Sequence, residues 1–208
     1  MSLKTDYKRD FKSIYAPKAE PGIIAVPAFI FAVIEGQGDP NREGFADDTA
    51  ALYGFSYTVR MSNKGNAVPP GYYEYTVFPL EGVWDLVDPD KGLTDKSNLK
   101  YRIMIRQPEF LTEGLFQRFL SEAKQKKHNP SLDKIRREAI EEGLCCQMMH
   151  IGPYAEEPAS FSLMEQFCEG KGYLRSSKVH REIYLSDPRK TDPAKMRTVL
   201  RFNIEARP

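Results

Sequence analysis

Cysteine, histidine and tryptophan are scarce in this chain, and the scarcity removes whole classes of chemistry. Among 208 residues, three are cysteine, three histidine and one tryptophan. Cys145, Cys146 and Cys168 form no CxxC, and no histidine sits at metal-ligand spacing from them. A disulfide framework and a zinc site are therefore not expected, and the thiols read as buried and free. A lone histidine without a paired ligand pattern gives no haem signal, so no metal and no cofactor is expected. Charge of one sign is also missing: 30 basic and 29 acidic side chains leave +1. No global field draws nucleic acid or anionic lipid. Lys124, Lys126, Lys127, Arg136 and Arg137 are followed by Glu138, Glu141 and Glu142, and read as solvated helix faces. No run of 18 apolar residues or signal peptide appears, which points to a cytoplasmic protein with no membrane partner. Gly36-Gln37-Gly38-Asp39-Pro40 lacks the third glycine and the Lys-Ser/Thr pair of a phosphate loop, and reads as a tight turn.

What is present is a succession of short apolar strands and amphipathic helices. Residues 1–26 read as an irregular leader. Pro27–Glu35 is a buried strand, and a helical pattern runs from about Pro40 to Ser62. Met61–Asn66 is its stop signal, with Gly65 placed for a left-handed residue. Tyr72–Pro79 and Gly82–Asp88 read as two aromatic strands split by Leu80-Glu81. Pro89-Asp90-Lys91-Gly92 is a turn, and Leu99–Arg106 is a further strand. Helices follow at Thr112–Lys126, capped by Thr112, and at Ser131–Glu142. Leu144–Ile151 is a strand, Glu157-Pro158 opens a helix closed by Gly170-Lys171-Gly172, and strands 178–185 and 198–204 end the chain. The order strand, helix, strand, strand thus occurs twice, in residues 27–106 and 144–206, with 107–143 as a helical insertion. Parallel doubly wound sheets need regular alternation, so the class is α+β with antiparallel strands. Helices covering one sheet face would leave the other to line a cleft.

One strand stands out. In Val179-His180-Arg181-Glu182-Ile183-Tyr184-Leu185, the odd positions form a mostly apolar face and the even ones a titratable, aromatic face. A mid-strand glutamate is unusual, because strands are depleted in Glu and a buried charge needs a partner. Glu182 is either solvated on an exposed face or the single negative charge of a pocket floor. Trp84 is either a sheet-packing aromatic or a stacking wall for a planar ligand. Tyr154, at a strand-to-helix turn, either packs under its loop or contacts a ligand. Tyr73, Phe78 and Tyr184 are candidates for the same surface. Met104 and Met148 fill core by default, although thioethers also suit adaptable pockets. Glu157, at a helix start, reads as a carboxylate stabilised by the helix dipole, with catalysis as the alternative. His180 shares the Glu182 face, and His150 reads as a satisfied core histidine.

The stretches His150-Ile151-Gly152-Pro153-Tyr154, Glu157-Pro158 and His180-Arg181-Glu182-Ile183-Tyr184-Leu185-Ser186-Asp187-Pro188 resemble GyrI-like small-molecule-binding proteins. The segments YEYTVFPLEGVWDL and YGFSYTVRM fit the first half of that pattern. The resemblance covers most of residues 27–206 as one domain; 107–143 is its least diagnostic part. It implies a pseudo-two-fold tandem of strand–helix–strand–strand units around a central ligand cleft. It also implies a bulky, planar, often cationic aromatic ligand, held by a mid-strand glutamate between aromatic walls. Some relatives sequester drugs, and one branch hydrolyses cyclopropyl groups of DNA-alkylating natural products. Residues 1–25 have no room for a helix-turn-helix, which favours a stand-alone binder or enzyme over a regulator. In the enzymatic reading Glu182 is the base, Tyr154 or His180 supplies a proton, Glu157 is the next carboxylate, and Trp84 holds the ligand. The alternatives are a non-catalytic multidrug-binding module and, as the family's name suggests, a protein acting on DNA gyrase, for which no partner motif is present.

Overall fold

The structure is a computed structural model that describes residues 4–65, 67–88, 90 and 96–207. In chain order the elements are α1 (Tyr7–Asp10), α2 (Lys12–Tyr15), β1 (Gly22–Val26), β2 (Phe29–Gln37), α3 (Glu43–Arg60), β3 (Leu80–Leu86) and β4 (Leu99–Arg106), then α4 (Glu113–Lys126), β5 (Arg136–Ile140), β6 (Gly143–Ile151), α5 (Glu157–Gly170), β7 (Tyr173–Arg175), β8 (His180–Tyr184) and β9 (Arg197–Ala206). The sequence β2-α3-β3-β4 recurs as β6-α5-β8-β9, with β7 added in the second round. The class is α+β, and the strand pairs within each unit are antiparallel.

The chain divides into two compact units. The first is built mainly from Phe29–Leu80 and Leu86–Ile140. In it β2 pairs with β4 on one side and β5 on the other. Helix α3 packs on α4 through Phe55 and Phe116, whose ring centroids are 5.0 Å apart. Thr112 caps α4 by accepting a hydrogen bond from the Leu115 amide, as its side chain predicts.

The second unit comprises Tyr7–Ala28, Glu81–Asp85 and Glu141–Pro208. Its strands run β1-β6-β9-β8-β3, with β7 on β9. Strand alternation sends Cys146, Met148, Leu200, Phe202 and Ile204 to one face, where Met164 and Cys168 of α5 complete a core. All three cysteines are buried and free.

Several sequence expectations need correction. The irregular leader holds α1, α2 and β1, and β1 pairs with β6 from Gly22 to Val26. Alternation there is weak, but the ladder to β6 supplies the backbone partners that this short segment needs. The helix expected at Ser131–Glu142 is a 3-10 turn, Pro130–Lys134, followed by strand β5. Leu132 and Ile135 are buried by the turn, and edge pairing with β2 overrides the helix propensity of Arg-Arg-Glu-Ala. Arg136 and Arg137 accordingly lie on a strand. The aromatic strand expected at Tyr72–Pro79 is irregular, with one bridge from Tyr75 to Thr5. Its rings are held by side-chain contacts instead, Tyr72 to Arg60 and Tyr73 to Glu109. Gly65 is extended (φ −83°, ψ 174°), not left-handed, because a 3-10 turn at Ser62–Lys64 already ends α3. Asn66 and most of the turn Pro89–Gly92 lie outside the described residues. No helix among the described residues is long and apolar enough to cross a membrane.

Candidate functional site

Strand β8 separates two chemistries by simple alternation. Arg181 and Ile183 are buried on one face; His180, Glu182 and Tyr184 are partly buried on the other. The helix lies on the Glu182 face rather than the opposite one, since Glu182 pairs with Leu200 of the core under α5. Phe161 of α5 meets the edge of His180 at 4.7 Å.

On the reverse face the arginines are structural. Arg181 and Arg201 stand directly opposite each other in the β8–β9 register, an arrangement that would repel. Glu142 lies against both, 2.9 Å from Arg181 Nε and 2.6 Å from Arg201 Nη1. Glu81 holds Arg181 Nη1 at 2.6 Å and accepts from the Tyr15 hydroxyl at 3.1 Å. Two arginines and two glutamates thus neutralise one another in a buried chain, which is the condition for keeping charges out of water.

The Glu182 face has no such balance. His180 Nε2 lies 3.1 Å from Glu182 Oε1. The Tyr184 hydroxyl feels the charge of Glu182, two residues away on the same strand face, and it accepts from the Trp84 indole N–H at 2.7 Å. Burial and the charge of Glu182 push the Tyr184 phenol well above its ordinary range, so it keeps its proton. Gly82 is the residue directly opposite Glu182. A Cβ there would come within 2.9 Å of Trp84 Nε1 and 3.0 Å of the Tyr184 hydroxyl. The absent side chain is the space in which indole and phenol meet.

The turn from β6 into α5 brings two more groups. Gly152 takes φ +140°, a region that favours glycine. His150 Nε2 lies 3.2 Å from the Pro153 carbonyl, and Nδ1 lies 2.9 Å from Ser160 Oγ. With the carbonyl able only to accept, Nε2 carries the proton and donates. This is the satisfied histidine expected, and it ties the turn to the helix. Tyr154 then packs edge-on against Tyr184 at 6.1 Å, and burial with the charge of Glu182 raises its phenol to about 12. Glu157, the first residue of α5, is 7% exposed, and its Oε1 has no hydrogen-bond partner. Burial, then the charge of Glu182, raises its carboxyl to about 9. Both causes favour the protonated form, against the pull of the helix terminus on a carboxylate.

Of the residues singled out in the sequence, Trp84, Tyr154, Glu157, His180, Glu182 and Tyr184 all lie in the second unit and are linked by these contacts and charges. Met148 is in that unit's core. Tyr73, Phe78 and Met104 belong to the first unit, where Phe78 stacks on the Arg106 guanidinium and Met104 is fully buried. Gly82 was not anticipated; a glycine in a strand beside the lone tryptophan was the available signal. A surface depression of 680 Å³ along β6 and the start of α5 is lined by His150, Glu156 and Ser160, and not by Trp84, Glu182 or Tyr184.

No protein of curated function matches the sequence. A crystal structure of a conserved protein from Listeria innocua is 38% identical, with TM-score 0.91, covering 97% of this chain and all of its own. A hydrolase from Listeria innocua is 37% identical, with TM-score 0.90 and the same coverage. The C-terminal domain of EcmrR, at 16% identity and TM-score 0.51 over 90% of this chain and 98% of its own, shares the fold alone. The family model for the GyrI-like small molecule binding domain matches residues 19–204. The chain belongs to the GyrI-like small-molecule-binding family.

Proposed function

We propose that this protein is a hydrolase for bulky planar aromatic compounds, with Glu182 as general base and Glu157 as general acid. The observation that carries the reading is two neighbouring glutamates in unlike environments. Glu157 is buried, has an unpartnered oxygen and is pushed toward its protonated form by burial and the charge of Glu182, while Glu182 faces His180 at 3.1 Å and shares its strand face with Tyr184. Carboxyl groups pushed apart in this way divide into acid and base. The identity to a Listeria innocua hydrolase over the full length supports the same class.

The substrate we infer is a strained cyclopropane conjugated to a carbonyl. Glu182 takes a proton from water, whose oxygen bonds to a cyclopropyl carbon. The ring C–C bond breaks and its electrons pass into the conjugated carbonyl. That oxygen takes the proton of Glu157, and the net change is addition of one water. Tyr154 offers a second hydrogen bond to the same developing charge. Solvent returns the proton from Glu182 and reprotonates Glu157.

The test is incubation with excess of a spirocyclopropane on a planar aromatic dienone, followed by mass spectrometry. Multiple turnover with a gain of one water is expected, and Glu182→Gln should lower it by about 10²–10⁴-fold. A second reading rests on the single negative charge among aromatic rings, which suits a flat cation held without chemistry. Stoichiometric binding with no turnover of several such compounds would favour that sequestering role.

A further inference from the structure

The single tryptophan stands where a ligand-stacking wall would be expected, yet its polar atom is committed. We propose that Trp84 is a positioning residue: its N–H sets the direction of the Tyr184 hydroxyl proton, and Gly82 is the vacancy that lets it do so. This rests on the reading of Glu182 as the reactive carboxylate and adds how that carboxylate is held.

The direction follows from donor and acceptor inventory. An indole N–H can only donate, so the 2.7 Å contact from Trp84 Nε1 makes the Tyr184 oxygen the acceptor. The phenol proton must then point elsewhere, and Glu182, two residues away on the same strand face, is the carboxylate whose charge acts on it. Donation into the phenol oxygen polarises its O–H and strengthens the bond it makes onward. His180 Nε2 holds Glu182 Oε1 at 3.1 Å, and the phenol faces the carboxylate from the same strand face. A free mid-strand glutamate samples several rotamers; this one is held by His180 in position to take a proton from a single water.

The strand register makes the arrangement possible. Trp84 stands opposite His180, and Gly82 stands opposite Glu182. Trp84 and Gly82 share a strand face two residues apart, so the indole can lie back over position 82 only if that position has no Cβ. A methyl there would meet Nε1 at 2.9 Å and the phenol oxygen at 3.0 Å, and would wedge apart the two atoms that form the bond. Gly82→Ala thus breaks the relay without removing a polar group.

Because the chain has one tryptophan, its fluorescence reads this contact without any ligand. Tyr184→Phe and Gly82→Ala should each shift the Trp84 emission in folded protein, as judged by an intact melting transition. An unchanged emission in both would overturn the proposal, whether or not the protein proves to be a hydrolase. On the spirocyclopropane dienone, Trp84→Phe keeps an aromatic ring but removes the donor. It should lower kcat roughly 3- to 10-fold, the worth of one hydrogen bond, with KM within about twofold of wild type. The Trp84→Phe/Tyr184→Phe double variant should be no slower than Tyr184→Phe alone. Independent, multiplying losses, or a Trp84→Phe effect confined to KM, would return Trp84 to the role of a stacking wall.

Discussion

Each unit buries a helix carboxylate beside a strand tyrosine, and the two solve the electrostatic problem differently. In the first, Asp48 of α3 is fully buried and accepts from the Tyr101 hydroxyl at 2.9 Å and from Lys134 Nζ at 2.8 Å. Tyr101 lies over Gly36, its partner across the β2–β4 ladder, and Phe45 closes against its edge at 5.0 Å. In the second, Glu157 of α5 is buried near Tyr184, and Gly82 makes room for the ring that meets it. No lysine or arginine is recorded in contact with Glu157 or Glu182 among the described residues; the one basic neighbour is His180. The first site satisfies its charge. The second leaves an oxygen unpartnered and holds a proton instead. Unpaired buried polar atoms cost stability, and a buried carboxyl with a strongly raised pKa is where acid–base chemistry is expected.

The comparison breaks most sharply at the carboxylates. Glu182→Gln should lower turnover by about 10²–10⁴-fold while leaving the melting temperature nearly unchanged. Asp48→Ala should do the reverse, costing about 2–4 kcal/mol of stability through the unpaired Tyr101 and Lys134 while folded protein retains turnover. Denaturant titration and kinetics on both variants decide it. Loss of turnover without loss of stability in Asp48→Ala would make the two sites functionally alike.

Glu157 sharpens the contrast through pH. Its carboxyl is raised from 4.5 to about 9 in the folded protein. Between those values the unfolded chain has released the proton and the native state has not, so stability falls as pH rises. The contribution is whole below about 4.5 and gone above about 9. Glu157→Gln cannot ionise in either state and should remove this slope, raising the melting temperature at pH 8 by on the order of 10 °C. The same change should slow turnover, and wild-type activity should fall on the alkaline side as Glu157 loses its proton. A stabilised variant with full activity would remove Glu157 from the chemistry.

Much of this architecture was legible because its signals are local. The period of two in Leu99–Arg106 and Leu144–Ile151, the Thr112 cap and the Gly-Lys-Gly end of α5 each act over a few residues. So does the alternation that sets Glu182 and Tyr184 on one face and Arg181 on the other. What was not legible depends on partners distant in sequence. Arg136–Ile140 has helical composition and becomes a strand because β2 offers an edge. Residues 22–26 are ordered by pairing with β6, more than 100 residues away. The protonation of Glu157 depends on burial and on Glu182, neither of which its helix-start position records. The placement of Tyr73, Phe78 and Met104 in the first unit was equally hidden, because aromatic content marks a surface that packs and not which surface it packs on.

A steric pair gives a smaller effect. Gly36→Ala would place a methyl 2.4 Å from ring atoms of Tyr101, which is tethered at its hydroxyl by Asp48 and cannot swing freely. About 1–3 kcal/mol of stability should be lost by overpacking. Trp84 emission should stay unchanged, since Gly36 and Tyr101 lie in the other unit. A shift in emission would mean that strain in one unit reaches the other, and the two sites could not be treated separately.

The smallest expected effect bears on why the first site is quiet. Lys134 is the cation that distinguishes Asp48 from Glu157, yet its side chain is 51% exposed. Half-exposed ion pairs are screened, and water can take the place of the ammonium group. Lys134→Met keeps the aliphatic stem and should cost only about 1 kcal/mol at low salt, with the gap from wild type narrowing as sodium chloride is added. A loss of several kcal/mol, insensitive to salt, would show that the lysine is what makes a buried carboxylate tolerable in this fold. The missing cation beside Glu157 would then be the decisive difference between the units. No loss at all would place the difference in the tyrosine hydrogen bond and in burial, and the neutral state of Glu157 would follow from its desolvation and the charge of Glu182 without reference to a missing partner.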